Sequence, residues 1–106
     1  MVFIESSVFE RHLPRYLSDE EYGRLQTALR NNPKLGVVIP GSGSVRKLRS
    51  SRSGIGKRGG VRVIYYVKRP HQIWLLTIYA KTEADTIPAH MLRAIKREMD
   101  NGPTKN

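Results

Sequence analysis

Two apolar segments near the middle of the chain constrain its fold most. Residues 61–68 and 73–80 are rich in β-branched and aromatic side chains, and the short link between them contains Pro70. Strand-like segments joined by a short, turn-rich link are typical of a β-hairpin. Along residues 73–80 the side chains that alternate to the two sides are apolar on both, which predicts a central strand covered on both faces.

Sequence signals for helices lie before and after this hairpin. Residues 7–10 (SVFE) have the S-x-x-E pattern of a capping box, and Pro14 is expected to end the short helix that they open. Residues 18–21 (SDEE) repeat the pattern at the start of a second helix, which residues 31–33 (NNP) end. Pro88 is expected to be the first residue of a last helix, because proline fits that position.

The remaining segments complete the predicted order of elements. Residues 2–5 are short, apolar and β-prone, residues 40–44 (PGSGS) are a loop, and residues 45–49 form a strand with basic residues on one face. The resulting order, β-α-α-β-β-β-α, predicts an α+β fold in which a small antiparallel sheet carries two N-terminal helices and a C-terminal helix. Since no linker divides the chain, we expect residues 1–106 to form a single domain.

The charge of the chain is concentrated in its middle. There are 19 Lys and Arg against 9 Asp and Glu, a formal net charge of +10. No acidic residue lies between Arg24 and Thr82, whereas most of the basic residues do. A region with one sign of charge attracts phosphates, so we expect a polyanionic partner and RNA first of all. A basic surface that only maintains solubility predicts interspersed signs instead.

A glycine-rich basic segment, residues 54–60 (GIGKRGG), leads directly into the hairpin. Glycine lets the backbone approach a ligand closely. Lys57 and Arg58 in this segment, and Arg62 at the start of the strand, supply donors that match phosphate oxygens. The segment therefore predicts a phosphate site. It does not fit a P-loop, which opens a helix rather than a strand.

This basic cluster is suited to RNA cleavage by the 2′-hydroxyl of the substrate. Fixed cations stabilise the charge that develops on the phosphate, and we assign Arg62 to that role, with Lys57 and Arg58 on the phosphate or backbone. Lys81 is a candidate for proton transfer, because a lysine among other cations loses its proton more readily. For each of them the alternative is a solvated cation or a contact that only positions the nucleic acid backbone. The other predicted RNA-binding residues flank the cluster: Arg46, Lys47, Arg49, Arg52 and Tyr79.

Other kinds of site are poorly supported by the sequence. His12, His71 and His90 are scattered, and without cysteine neither a disulfide nor a thiolate metal site is possible. We predict no metal and no cofactor. No apolar run approaches the roughly 20 residues of a spanning helix, so no membrane association is expected. The start of the chain does not resemble a secretory signal, which together with the lack of cysteine favours a cytoplasmic protein.

Four segments carry a resemblance to a known family. They are residues 57–66 (KRGGVRVIYY), 75–81 (LLTIYAK), 16–22 (YLSDEEY) and 32–36 (NPKLG). In them the chain resembles HigB-type toxins of the RelE superfamily, over nearly its whole length. The resemblance implies a RelE-like fold and a toxin of a type II toxin–antitoxin pair. Such a toxin is a metal-independent endoribonuclease that cleaves mRNA in the ribosomal A site and is silenced by a cognate antitoxin protein.

The resemblance also implies roles for individual residues. Arg62 matches the family arginine that is expected to contact the scissile phosphate. Lys57 and Arg58 match basic positions on the preceding loop, and Lys81 matches a basic position after the next strand. Any contact with operator DNA is expected only indirectly, through the antitoxin.

Two departures from the RelE pattern leave the general acid and base unassigned. Thr82 stands where RelE has an arginine, and the pair Ile87 and Pro88 stands where it has a tyrosine. Two other functions therefore stay open. One is a basic RNA- or DNA-binding module without catalysis, and the other is a scaffold whose basic face meets an acidic partner.

Overall fold

The computed structural model describes residues 1–50, 60–83 and 87–101. Within these ranges the strands are β1 (Val2–Glu5), β2 (Val37–Val38), β3 (Arg46–Ser50), β4 (Val61–Arg69) and β5 (Gln72–Ala80), and the helices are α1 (Ser7–Tyr16), α2 (Asp19–Asn31) and α3 (Ala89–Asp100). The α+β class is confirmed. The strand β2 was not predicted, because two residues are too few to show a periodic pattern. None of the helices in these ranges has the length and apolar character needed to cross a membrane.

The strands form one sheet in the order β1-β5-β4-β3-β2. The predicted hairpin of β4 and β5 is present, and β2 through β5 pair in antiparallel fashion. The prediction of a wholly antiparallel sheet is wrong for β1, which lies parallel to β5 with Ile4 opposite Trp74. A short turn forces antiparallel pairing, whereas the long connection between β1 and β5 permits a parallel pair.

Helices cover both faces of the sheet. On one face α1 and α2 pack on the hairpin in a core that includes Phe9, Leu29, Val63, Tyr65 and Leu75. On the other face α3 packs on it through Leu92, in a second core with Ile64, Trp74 and Leu76. The central strand β5 is therefore covered on both faces, as its sequence predicts. The second face is thus partly occupied by α3.

The start of α1 differs from its prediction by one residue. Ser6 rather than Ser7 is the N-cap, and its hydroxyl accepts a hydrogen bond from the Phe9 N–H at 2.9 Å. The same hydroxyl donates to the Leu76 carbonyl oxygen at 2.6 Å. One side chain thus caps the helix and fixes it to β5, a long-range contact that a local pattern does not contain.

Proline positions account for the other differences at helix ends. Pro14 lies inside α1 instead of ending it, because it removes only one helical hydrogen bond and the following Tyr16 and Leu17 are buried. Pro88 is the N-cap of α3, and the helix begins at Ala89. The predicted capping box at the start of α2 is confirmed.

Polar contacts at the rim connect α3 to the loop before β3. Gly41 and Gly43 in this loop have φ values of +76° and +79°, which only glycine adopts readily. Their carbonyl oxygens accept hydrogen bonds from the Arg93 guanidinium and, at 2.8 Å, from the Lys96 ammonium. Lys96 also lies 3.8 Å from the centre of the Tyr66 ring. The loop therefore supports α3 from the side.

Candidate nucleic-acid interface

A row of three side chains lies where β4 begins and β5 ends. Arg49 on β3 is opposite Arg62 on β4, and Arg62 is opposite Tyr79 on β5. Directly opposed residues of antiparallel strands place their side chains on the same face. This is the face on which α3 packs, since Tyr79 and Ile64, two residues along β4 from Arg62, belong to the core around α3.

Arg62 is buried, with 7% of its surface exposed. Within residues 1–50, 60–83 and 87–101 its side chain makes no hydrogen bond or ion pair. In the same ranges every side-chain nitrogen or oxygen that is fully buried has a hydrogen-bond partner, so the nitrogens of Arg62 are not fully buried. Some contact of its guanidinium with solvent must therefore remain. A mostly buried arginine without a counter-charge among the described residues is unfavourable, because the remaining solvent contact compensates its desolvation only in part. The position therefore favours the entry of an anion.

Lys81 follows β5 directly and extends the pairing with β4. Its backbone N–H donates to the Gly60 carbonyl oxygen at 3.2 Å, one residue beyond the last pair, Val61 with Ala80. Lys81 is thus the diagonal neighbour of Arg62, an arrangement in which the two residues are typically about 7–8 Å apart. Because its side chain is exposed, its ammonium is available to a ligand at Arg62.

The basic residues of β3 divide between the two faces of the sheet. Lys47 and Arg49 alternate onto the face of Arg62, where Lys47 is partly and Arg49 largely exposed. Arg46 is opposite Tyr65 on the other face, and its guanidinium donates to the Gly36 carbonyl oxygen at 2.7 Å. The predicted RNA contacts Lys47 and Arg49 therefore share a face with Arg62, whereas Arg46 supports the loop before β2.

Arg46→Met is expected to lower the free energy of unfolding by about 1–2 kcal/mol, since the partly buried Gly36 carbonyl loses its charged donor. Its effect on RNA affinity should be smaller than that of Lys47→Met, which removes a cation from the face of Arg62. Urea denaturation and fluorescence anisotropy with a labelled RNA measure the two quantities. Unchanged stability with a loss of affinity equal to that of Lys47→Met would make Arg46 an RNA contact, as predicted from the sequence.

Aromatic residues on the strands mainly support the core. Tyr79, one of the predicted RNA-binding residues, is 7% exposed and belongs to the core around α3. Tyr65 is fully buried, and burial raises the pKa of its hydroxyl above the ordinary value. That hydroxyl donates to the Pro33 carbonyl oxygen at 2.7 Å and accepts from the Gly36 N–H at 2.8 Å. It thereby holds the loop after α2 against the sheet.

Part of the predicted site is not among the residues that the structure describes. Lys57, Arg58 and Arg52 are outside the described residues. Sequence reasoning also missed Glu83, the first acidic residue after the acid-free middle, which makes side-chain contacts at the end of β5. In the described part of the chain no group of three or more His, Asp or Glu residues is arranged to hold a metal ion.

Models of known protein families were compared with the chain, and none of them matches it.

Proposed function

We propose that this protein is a metal-independent endoribonuclease that cleaves mRNA in the ribosomal A site and so inhibits translation. It is the toxin of a type II toxin–antitoxin pair, acts in the cytoplasm and is neutralised by a cognate antitoxin, as the sequence resemblance implies. The observation that carries the proposal is the buried Arg62 side chain, which has no counter-charge within the described residues and lies beside Lys81. A phosphate group of RNA supplies the missing anion.

Arg62 stabilises the phosphate during cleavage. The 2′-oxygen of the substrate attacks the adjacent phosphorus, the bond to the 5′ oxygen breaks, and negative charge grows on the non-bridging oxygens. A guanidinium donates two parallel hydrogen bonds to such oxygens. Because Arg62 is mostly buried and held in a strand, its charge acts at a lower effective dielectric and without reorientation. This preorganisation makes it more effective than an exposed arginine.

Lys81 supplies the second charge of the site. Its exposed ammonium is one diagonal step from Arg62 and donates a proton to the departing 5′ oxygen. The proton of the 2′-hydroxyl passes to solvent water as the new bond to phosphorus forms. Lys47 and Arg49 bind the backbone of neighbouring nucleotides on the same face.

A second candidate is a basic RNA- or DNA-binding module that performs no cleavage. It is favoured by the row of cations across β3 and β4, since Lys47, Arg49 and Arg62 share a face and match a run of phosphates. This module predicts that each cation contributes a similar step of salt-dependent affinity and that bound RNA stays intact.

Expression from a tight promoter, followed by mapping of mRNA 5′ ends, tests the proposal. The wild type is expected to stop growth and to generate new ends within translated codons, and co-expression of the neighbouring open reading frame should reverse both effects. Arg62→Ala should abolish them. Arg97→Ala removes an exposed arginine of α3 and should behave as the wild type. Normal growth and intact mRNA with the wild type would favour the binding module.

A further inference from the structure

The turn after β5 is held together by Glu83. The Glu83 N–H donates to the Ala80 carbonyl oxygen at 2.9 Å, which closes a four-residue turn. The Glu83 carboxylate accepts a hydrogen bond from the Ala80 N–H at 3.3 Å. Lys81 is the second residue of this turn, so Glu83 constrains the backbone from which the Lys81 side chain extends.

The same carboxylate ties the turn to α1. Its Oε1 accepts a hydrogen bond from the Tyr16 hydroxyl, and its Oε2 lies 3.4 Å from the Arg15 guanidinium. The Tyr16 ring is buried in the core of α1 and α2. The Arg15 side chain is 61% exposed, and surface ion pairs contribute little, so the bond from Tyr16 is the firmer anchor.

The anchor also determines where the negative charge of Glu83 lies. Tyr16 belongs to the core on the α1 and α2 side of the sheet, whereas the row of Arg49, Arg62 and Tyr79 lies on the α3 side. The carboxylate is therefore held toward the face opposite Arg62, although it is only two residues from Lys81. A phosphate at Arg62 is thus kept apart from an acid that would repel it.

We infer that Glu83 is a positioning residue, which holds Lys81 beside Arg62 by bonding the turn after β5 to Tyr16 of α1. The inference depends on the proposed function only in taking an RNA phosphate as the ligand of Arg62 and Lys81. Glu83 itself does not touch the RNA, and it acts through the placement of the Lys81 ammonium.

The direction in which Glu83→Ala changes RNA affinity distinguishes a positioning role of Glu83 from a purely electrostatic one. Removal of a negative charge near a phosphate site strengthens RNA binding if electrostatics alone operate. Glu83→Ala is instead expected to weaken binding by about 3- to 10-fold, because Lys81 is released from its position. Glu83→Gln keeps an oxygen that accepts the same two hydrogen bonds, so its affinity should equal or exceed that of the wild type. Tyr16→Phe, which removes the donor, should weaken binding as Glu83→Ala does.

A double-mutant cycle with Lys81→Ala tests whether Glu83 acts through Lys81. The readout is fluorescence anisotropy of a fluorescein-labelled 2′-O-methyl RNA, which lacks the attacking hydroxyl and is not cleaved. Adding Glu83→Ala to Lys81→Ala should produce no further loss of affinity. A loss as large as in the wild-type background would overturn the inference, and so would tighter binding by Glu83→Ala. Thermal unfolding of each variant checks that the fold is retained. If Glu83→Ala does not fold, the comparison of Glu83→Gln with Tyr16→Phe tests the inference in its place.

Cleavage is measured separately, with unmodified mRNA on ribosomes. If the wild type binds the modified RNA with the expected coupling but cleaves nothing, the positioning role stands and the endoribonuclease proposal fails. If the wild type cleaves mRNA but the cycle shows no coupling, the proposed function stands and the role of Glu83 fails. Absence of any RNA binding by the wild type would overturn both.

Discussion

Arg62→Met is expected to slow RNA cleavage by roughly 100- to 1,000-fold, as is typical when a preorganised donor to the developing charge is lost. The same substitution should leave the free energy of unfolding unchanged or raise it. In the wild type this mostly buried arginine has no partner among the residues that the structure describes, and a methionine of similar length removes that unfavourable charge. Single-turnover cleavage on programmed ribosomes and urea denaturation measure the two effects.

The opposite signs of these two effects make the test specific. If an arginine stabilises the fold, its replacement lowers both the stability and the activity of the protein. If it is kept for binding, its replacement lowers the activity alone. Arg97→Met, at an exposed position of α3, is the matched control and should change neither quantity. A loss of stability by Arg62→Met of more than about 1 kcal/mol would mean that Arg62 supports the fold, and the main support of the proposed function would be lost.

Local sequence patterns predicted the elements whose contacts are themselves local. The β4–β5 hairpin follows from two apolar runs with a short link. The register that places Lys81 diagonally from Arg62 is not fixed by the turn alone, because the pairing shifts between Val67 and Arg69 and again between Ile64 and Tyr65. The parallel pairing of β1 was missed, because nothing within residues 2–5 specifies a partner about seventy residues away. The apolar stripe of α3 predicts that the helix packs against the rest of the protein, but it does not predict which face of the sheet the helix covers.

As with the fold, the local features of the candidate site were predictable from the sequence and the long-range contacts were not. Alternation along β3 predicts that Arg46 and Lys47 lie on opposite faces of the sheet. Which of the two faces α3 covers depends on the tertiary packing. The role of Glu83 was not predictable, because its hydrogen bond with Tyr16 joins residues 67 positions apart. Sequence spacing thus predicted the cations of the candidate site, and the structure adds the hydrogen bond between Glu83 and Tyr16 near one of them.

Leu92→Ala is expected to lower the free energy of unfolding by about 2–5 kcal/mol, the usual cost of truncating a fully buried leucine. Leu92 is the buried residue of α3 and packs in the core with Trp74. Trp74 is the one tryptophan of the sequence, so the fluorescence reports the surroundings of this ring alone. A shift of its emission to longer wavelength should accompany the loss of stability, because water then reaches the ring.

The polar contact at the end of α3 is not expected to compensate for the loss of the apolar contact of Leu92. The ion pair of Lys68 with Asp100, 2.8 Å long, lowers the pKa of that carboxyl, but Asp100 is largely exposed and such pairs contribute little. Met91→Ala, at a residue of α3 that is 48% exposed, is the matched control and should cost less than about 0.5 kcal/mol without an emission shift. If Leu92→Ala and Met91→Ala gave the same stability and emission, α3 would not depend on its apolar contact, and the second core would contribute little to the fold.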